Sequence, residues 1–153
     1  MTTPYFYRTE VDWVGDKRGV LRSQMLPDIQ VATPPEFEGH ENTWSPEHLF
    51  TSAVSSCFMT TFLAIAEMSK LDFVSFSADA IGKLEKLDGH GYMMTEVIIR
   101  PRLRILHERD RERAARILEK AERNCLISNS VKSAIKLEPV IEVGGENDEV
   151  AAR

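Results

Sequence analysis

The chain has 153 residues, 42% of them apolar and 28% charged, which is enough to bury a full core without metals or disulfide staples and reads as one soluble domain. Its 19 basic and 24 acidic residues leave a net charge of −5, so no basic surface is available for a phosphate backbone and nucleic acid is excluded as an expected partner. The chain opens Met1-Thr2-Thr3-Pro4, without a basic-then-apolar signal, so a reducing cytoplasm is expected and its two cysteines, Cys57 and Cys125, are expected as thiols.

Tyr5 to Trp13 alternates and carries aromatic and β-branched residues, the pattern of a strand. Gly15-Asp16-Lys17-Arg18-Gly19 reads as a turn, Val20 to Met25 as a second strand, and Ile29 to Ala32 as a third that ends at Pro34-Pro35. A loop over Glu36 to Trp44 follows. Ser45-Pro46-Glu47 then starts a helix: serine caps, proline suits the first helical position, and glutamate favours the positive end of the helix dipole.

From Leu49 to Ala66 no residue carries a charge. Eighteen such residues match the length of a membrane span, but six of them are hydroxyl residues and the charged chain has no second such stretch, so a membrane is not expected. A helix apolar nearly all round is instead a buried core helix that other elements must wrap.

Val74, Phe76, Ala78, Ala80, Gly82 and Leu84 alternate, as do Val97, Ile99, Pro101, Leu103 and Ile105, and Asp88-Gly89-His90-Gly91 joins the two runs as the loop of a long hairpin. Arg100, Arg102 and Arg104 share the opposite face, either as an anion site or, as antiparallel sheets more commonly show, as a solvated face. Asp110 to Arg123 reads as an amphipathic helix whose apolar line, Ala114, Ile117, Leu118 and Ala121, runs on to Cys125. Ala134 to Val143 closes the domain as a strand. The predicted fold is α+β, an antiparallel β-sheet wrapped around two core helices, with residues 1–143 as a single domain and 144–153 as a flexible acidic tail. So apolar a first helix needs more cover than one small sheet supplies, which predicts a homodimer enclosing paired central helices.

The two cysteines can each be a small buried apolar residue. Their separation fits no tight metal motif, and His40, His48, His90 and His107 pair closely with neither. Cys57 lies too deep in its helix for the N-terminus to ionise it, so a thiolate there calls for a cation from elsewhere, such as an arginine of the first hairpin. Both thiols face one apolar seam, where Cα atoms within about 7 Å could close a disulfide.

Ser45-Pro46-Glu47-His48-Leu49-Phe50, Ser55-Ser56-Cys57-Phe58 and Cys125-Leu126-Ile127-Ser128-Asn129, in that order, resemble the OsmC/Ohr family of organic hydroperoxide reductases over about Trp13 to Val143. The resemblance implies an intertwined homodimer with active sites at the subunit interface. It implies Cys57 as the nucleophile that becomes a sulfenic acid, Cys125 as the thiol that resolves it into a disulfide, and Glu47 with an arginine as assistants. It implies organic (alkyl or lipid) hydroperoxides as substrates, a small dithiol or lipoylated protein as reductant, and no metal or organic cofactor. This chain departs from the family pattern in three places: Ser45 stands for the usual asparagine, Leu126 for the proline after the second cysteine, and Lys17-Arg18-Gly19 is the nearest match to the Gly-Arg-Asp-Gly turn of the Ohr branch. In the OsmC branch the arginine lies in the later loop, where Glu36 stands here. Arg18 is therefore the expected arginine, with Arg22 in reserve. Ten helical residues put Glu47 about 15 Å from Cys57, so if both serve one site they come from different subunits. Two other readings stay open: a non-catalytic OsmC-like dimer that binds a lipid-like ligand or partner, and a cysteine redox sensor without turnover.

Overall fold

The structure is a computed structural model and describes residues 2–144, so the expected acidic tail lies, from residue 145 onward, outside the described residues. It comprises two compact units, residues up to Leu49 and residues from Phe50 on.

In the first unit, β1 (Glu10–Gly15), β2 (Arg18–Arg22) and β3 (Ile29–Ala32) form an antiparallel sheet in that order, with Val11 opposite Leu21 and Gly19 opposite Val31. The first strand starts later than the alternation predicts. Arg22, the last residue of β2, already faces Glu10, so the chain upstream of Glu10 has no strand to pair with, and Tyr5, Phe6 and Tyr7 stay exposed. The second strand is correspondingly earlier and shorter, because Asp16 adopts a left-handed φ of 46° and closes the turn by Lys17. The loop after β3 begins with a 3₁₀ turn at Pro35–Phe37 and returns to the sheet, where the Ala32 N–H donates to the Trp44 carbonyl at 2.9 Å. Gly39 is obligatory in that loop: a Cβ there would lie 1.7 Å from the Thr33 carbonyl oxygen.

The helix α1 (Pro46–Met68) starts where the cap signals put it. Buried Ser45 accepts from the His48 N–H at 3.2 Å, while His48 Nδ1 accepts from the Ser45 N–H at 3.3 Å and lies 2.7 Å from its hydroxyl. This is a capping box with histidine in the place usually held by glutamate. At the other end Lys70 takes a φ of 52°, and the Leu71 N–H reaches back to the Ala66 carbonyl at 2.9 Å, a Schellman closure.

In the second unit α1 lies on a long hairpin, β4 (Phe73–Leu87) and β5 (Gly91–Ile105). Its buried stripe is Val54, Phe58, Phe62, Ile65 and Ala66, at spacings of three to four. Phe62 stacks on Phe76 at 4.9 Å between centroids and meets Phe73 at 5.5 Å. Full burial of Phe58 and Phe62 contributes about 1.5–3 kcal/mol each. Gly82 marks the closest approach, since a Cβ there would lie 2.2 Å from Thr51 Oγ1. A bulge between Phe73 and Ser75 shifts the alternation, so Phe73 rather than Val74 is the first side chain fully in the core.

Only 28% of the most apolar window of α1, with a mean hydropathy of 1.7, is buried within the chain. Among the described residues this helix is long and apolar enough to cross a membrane, but its phenylalanine stripe folds against a sheet, as a core helix does. The expectation of a helix wrapped on every side is met by this chain on one face only; Met59 and Leu63 remain well exposed.

After a 3₁₀ turn at Glu108–Asp110, α2 (Arg111–Asn124) buries Ala114, Ile117, Leu118 and Ala121 as predicted. The closing segment differs from the expected single antiparallel strand. It forms β6 (Ala134–Leu137) and β7 (Val140–Val143), both parallel to β5, because α2 returns the chain to the starting end of β5. The larger sheet is thus mixed and the architecture α+β. Ile99 faces Leu137 and Arg102 faces Val140, so the register is kept across the gap, where Pro101 and Pro139 both lack a donor. Two of the three arginines on the opposite face are exposed and paired with glutamates: Arg100 meets Glu138 at 3.0 Å and Arg102 meets Glu142 at 3.9 Å, while Arg104 is half-buried.

Candidate active site

Cys57 and Cys125 are both free thiols, and the second unit brings them within hydrogen-bond reach of one another. Cys57 is half-buried in the middle of α1, while Cys125 is fully buried. Cys125 is not part of α2, as its place on the apolar line implied. It is the residue just beyond the helix, with extended backbone (φ −69°, ψ 112°), and the chain then turns through Leu126 and Ile127 into a 3₁₀ turn at Ser128–Ser130.

That turn decides the chemistry of the pair. Burial pushes the Cys57 thiol up, but the Ile127 N–H, the Cys125 thiol, the Thr61 hydroxyl and the Leu126 N–H outweigh it and hold Cys57 below its ordinary value. Thr61 contributes through a loose contact, since its hydroxyl lies 4.0 Å from the sulfur and already donates to the Cys57 carbonyl at 2.8 Å. Cys125 moves the other way. Burial raises it, and although the Ser128 hydroxyl and N–H oppose that, the Cys57 sulfur beside it raises it further. The Cys125 sulfur also lies 3.9 Å from the Val54 carbonyl, but a thiolate on Cys57 is the stronger acceptor for its proton. Of the two, Cys57 ionises first.

The sequence assigns the ionisation of Cys57 to a cation alone. Backbone amides at 126 and 127 escape such reading because they belong to a turn rather than to a side chain. The signal that was present is Leu126 itself: a proline there would have no N–H to give.

The other expected residues lie in the first unit. Glu47 is the second residue of α1 and half-buried. Arg18 opens β2 and points Nη2 at His40 Nδ1, 3.2 Å away. Arg22 is bound instead to Asp12 and, at 3.4 Å, to Asp28, so two carboxylates already neutralise it. Of the two arginines, Arg18 meets an imidazole rather than a carboxylate. Among the described residues no group of three or more histidine, cysteine, aspartate or glutamate side chains could hold a metal.

The second unit thus carries two free thiols, one lowered and one raised, on an α+β scaffold. Residues 39–140 match the family model described as OsmC-like protein, and the chain belongs to that family. It is 24% identical over 153 residues to YmaD of Bacillus subtilis (strain 168), itself uncharacterized, covering 95% of this chain and all of the relative. Among solved structures it is similar to an OsmC-like protein of unknown function from Vibrio cholerae, with a TM-score of 0.82 and 22% identity over 90% of this chain and all of the other. An organic hydroperoxide resistance protein from Elizabethkingia anophelis matches with a TM-score of 0.75 and 20% identity, over 94% of this chain and all of that one. At these identities the structural likeness speaks for the fold.

Proposed function

We propose that the protein is a thiol-dependent peroxidase that reduces organic hydroperoxides. The observation that carries this reading is the opposite displacement of two neighbouring thiols, with Cys57 lowered and Cys125 raised. The Cys57 thiolate attacks the terminal oxygen of R–O–OH. An S–O bond forms, the O–O bond breaks, and the alkoxide leaves to take up a proton as R–OH. The resulting Cys57–SOH is captured by the Cys125 thiol, which forms the disulfide and releases water before over-oxidation. A small dithiol or a lipoylated protein returns two electrons and two protons, restoring both thiols. An apolar setting beside Ile127 and the aromatic core favours alkyl and lipid hydroperoxides over hydrogen peroxide.

Arg18 and Glu47 assist from the first unit of a partner subunit, Arg18 holding the departing alkoxide oxygen and Glu47 orienting the guanidinium. The homodimer this requires is supported by the uncovered apolar residues Met59 and Leu63 of α1 and Tyr5, Phe6, Tyr7 and Trp13 of the N-terminal segment. A dithiol cycle of this kind works in a reducing cytoplasm.

The test is consumption of cumene hydroperoxide with a dithiol reductant. Wild type turns over, Cys57→Ser is dead, and Cys125→Ser stops after one oxidation with Cys57–SOH trapped. Disulfide formation without turnover would instead mark a sensor. Absence of both, with Cys57 titrating near the free-thiol value of about 8.5, would mark a non-catalytic binding protein.

A further inference from the structure

We infer that His40 is a positioning residue that holds the Arg18 guanidinium by an Asp16–His40–Arg18 chain of contacts. The inference rests on the reading of Arg18 given above, and no motif in the sequence singles His40 out.

Arginine carries only donors, so the 3.2 Å contact from Arg18 Nη2 requires His40 Nδ1 to be the acceptor. The imidazole is then neutral, with its proton on Nε2. Asp16 Oδ2 lies 2.8 Å from that Nε2, off the line of its N–H, and favours this tautomer by charge more than by a well-formed hydrogen bond. The ring is largely buried, only 20% exposed, whereas Asp16 is 68% exposed and Arg18 lies at the surface. The buried imidazole thus fixes one end of a long, exposed side chain whose rotamer freedom would otherwise oppose any one geometry.

His40 is itself fixed by everything around it. Its N–H donates to the Thr33 carbonyl at 2.8 Å, and Gly39 permits that approach because any side chain would collide with the same carbonyl. Lys17, between Asp16 and Arg18, places Nζ 3.2 Å and 2.9 Å from the Phe37 and Glu38 carbonyls, at the end of the 3₁₀ turn. The Thr33 N–H returns to the Lys17 carbonyl at 3.1 Å. Trp13 Nε1 donates to the Asp16 carbonyl at 2.7 Å. Asp16 and Lys17 of the β1–β2 turn and Arg18 at the start of β2 therefore grip one loop, and His40 of that loop presents an acceptor to the arginine.

The charged groups that meet the ring are Asp16 from the turn and Arg18 from the start of β2; Lys17 is committed to carbonyls, and Glu38 and Glu41 are its charged neighbours in sequence. Protonation of Nδ1 would turn the acceptor into a donor set against the guanidinium.

The experiment measures hydroperoxide kinetics against pH for wild type, Arg18→Ala, His40→Ala and His40→Asn, with the His40 tautomer read by ¹⁵N NMR on the folded protein. His40→Ala is expected to lower kcat/KM by about ten- to a hundredfold, the effect of a misplaced rather than a missing group. His40→Asn, whose amide oxygen can accept from Arg18, is expected to recover most of that. The spectrum of wild type at pH 8 is expected to show Nε2 protonated and Nδ1 bare. A ring protonated on Nδ1, or His40→Ala with wild-type kinetics beside an impaired Arg18→Ala, overturns the positioning role. Arg18→Ala with wild-type kinetics while Cys57→Ser is dead overturns the reading of Arg18 and the functional part of this one with it, whatever the tautomer.

Discussion

Replacing Leu126 by proline removes one amide hydrogen from the Cys57 sulfur and little else. Leu126 is 66% exposed, so loss of its side chain costs little packing. Cys125 before it is already extended at ψ 112°, a conformation that a following proline accepts. A hydrogen bond to an ionised group is worth about 1.5–3 kcal/mol, and sulfur and the smaller share of Leu126 relative to Ile127 put this one at or below the lower end. At 1.36 kcal/mol per pKa unit the Cys57 value should rise by about one unit or slightly less. The sign follows from the state stabilised: the N–H bonds the thiolate, so its loss favours the thiol, and reactivity moves to higher pH. Iodoacetamide alkylation at Cys57, followed by mass spectrometry from pH 5 to 10, reads the shift. Below both midpoints the variant should react about tenfold more slowly, and at high pH the two rates should converge. Leu126→Ala keeps the amide and separates loss of the side chain from loss of the hydrogen bond. A Leu126→Pro profile that overlays wild type in a normally folded protein would refute the amide-donor account.

Ser45→Ala removes the cap and breaks the box with His48; a loss of about 1–2 kcal/mol is expected, read as a melting-temperature drop of roughly 2–4 °C per kcal/mol. Gly39→Ala must push the Thr33 carbonyl aside, so about 1–3 kcal/mol of destabilisation is expected in chemical denaturation, and an unchanged midpoint would show that the loop yields freely. Arg102→Ala breaks a 3.9 Å surface pair and should change stability by less than about 1 kcal/mol. Mixing inactive Cys57→Ser and Glu47→Ala subunits should restore part of the activity in heterodimers; no recovery after verified exchange would place the two residues in one subunit's site.

Side-chain periodicity made most of the fold legible. The cap at Ser45, the hairpin from Val74 to Ile105 and the buried line of α2 are local patterns, and each stands where its residues put it. Strand direction is not local. Nothing in Ala134 to Val143 says that it runs parallel to β5; that depends on which end of the sheet α2 delivers the chain to. Tyr5 to Trp13 has strand composition throughout, but pairing stops where its partner stops. At the candidate site the cysteines were legible because their residue type is rare and reactive. The amides of Leu126 and Ile127 were not, since every residue but proline carries one and only the turn gives it direction. His40 was obscured for a related reason: its partner is twenty-two residues away, on the far side of a glycine whose importance appears only once the Thr33 carbonyl is in place.

The position of Cys125 one residue beyond α2 has a mechanical consequence. Closing a bond between two sulfurs requires them to approach, and a residue inside a helix has only its side-chain rotation for that, since its backbone moves only with the ladder. Cys57 is anchored in that way, with 3.6-residue turns above and below it. Cys125 sits at a joint, between the last turn of one helix and a short 3₁₀ turn, where its N–H donates to the Glu122 carbonyl at 3.3 Å and its carbonyl accepts from the Asn129 N–H at 3.0 Å, so its backbone can adjust at the cost of turn contacts rather than of the ladder inside α2. In the proposed cycle Cys57 is therefore the fixed partner and Cys125 the one at a joint, so that any backbone adjustment falls outside the two long helices.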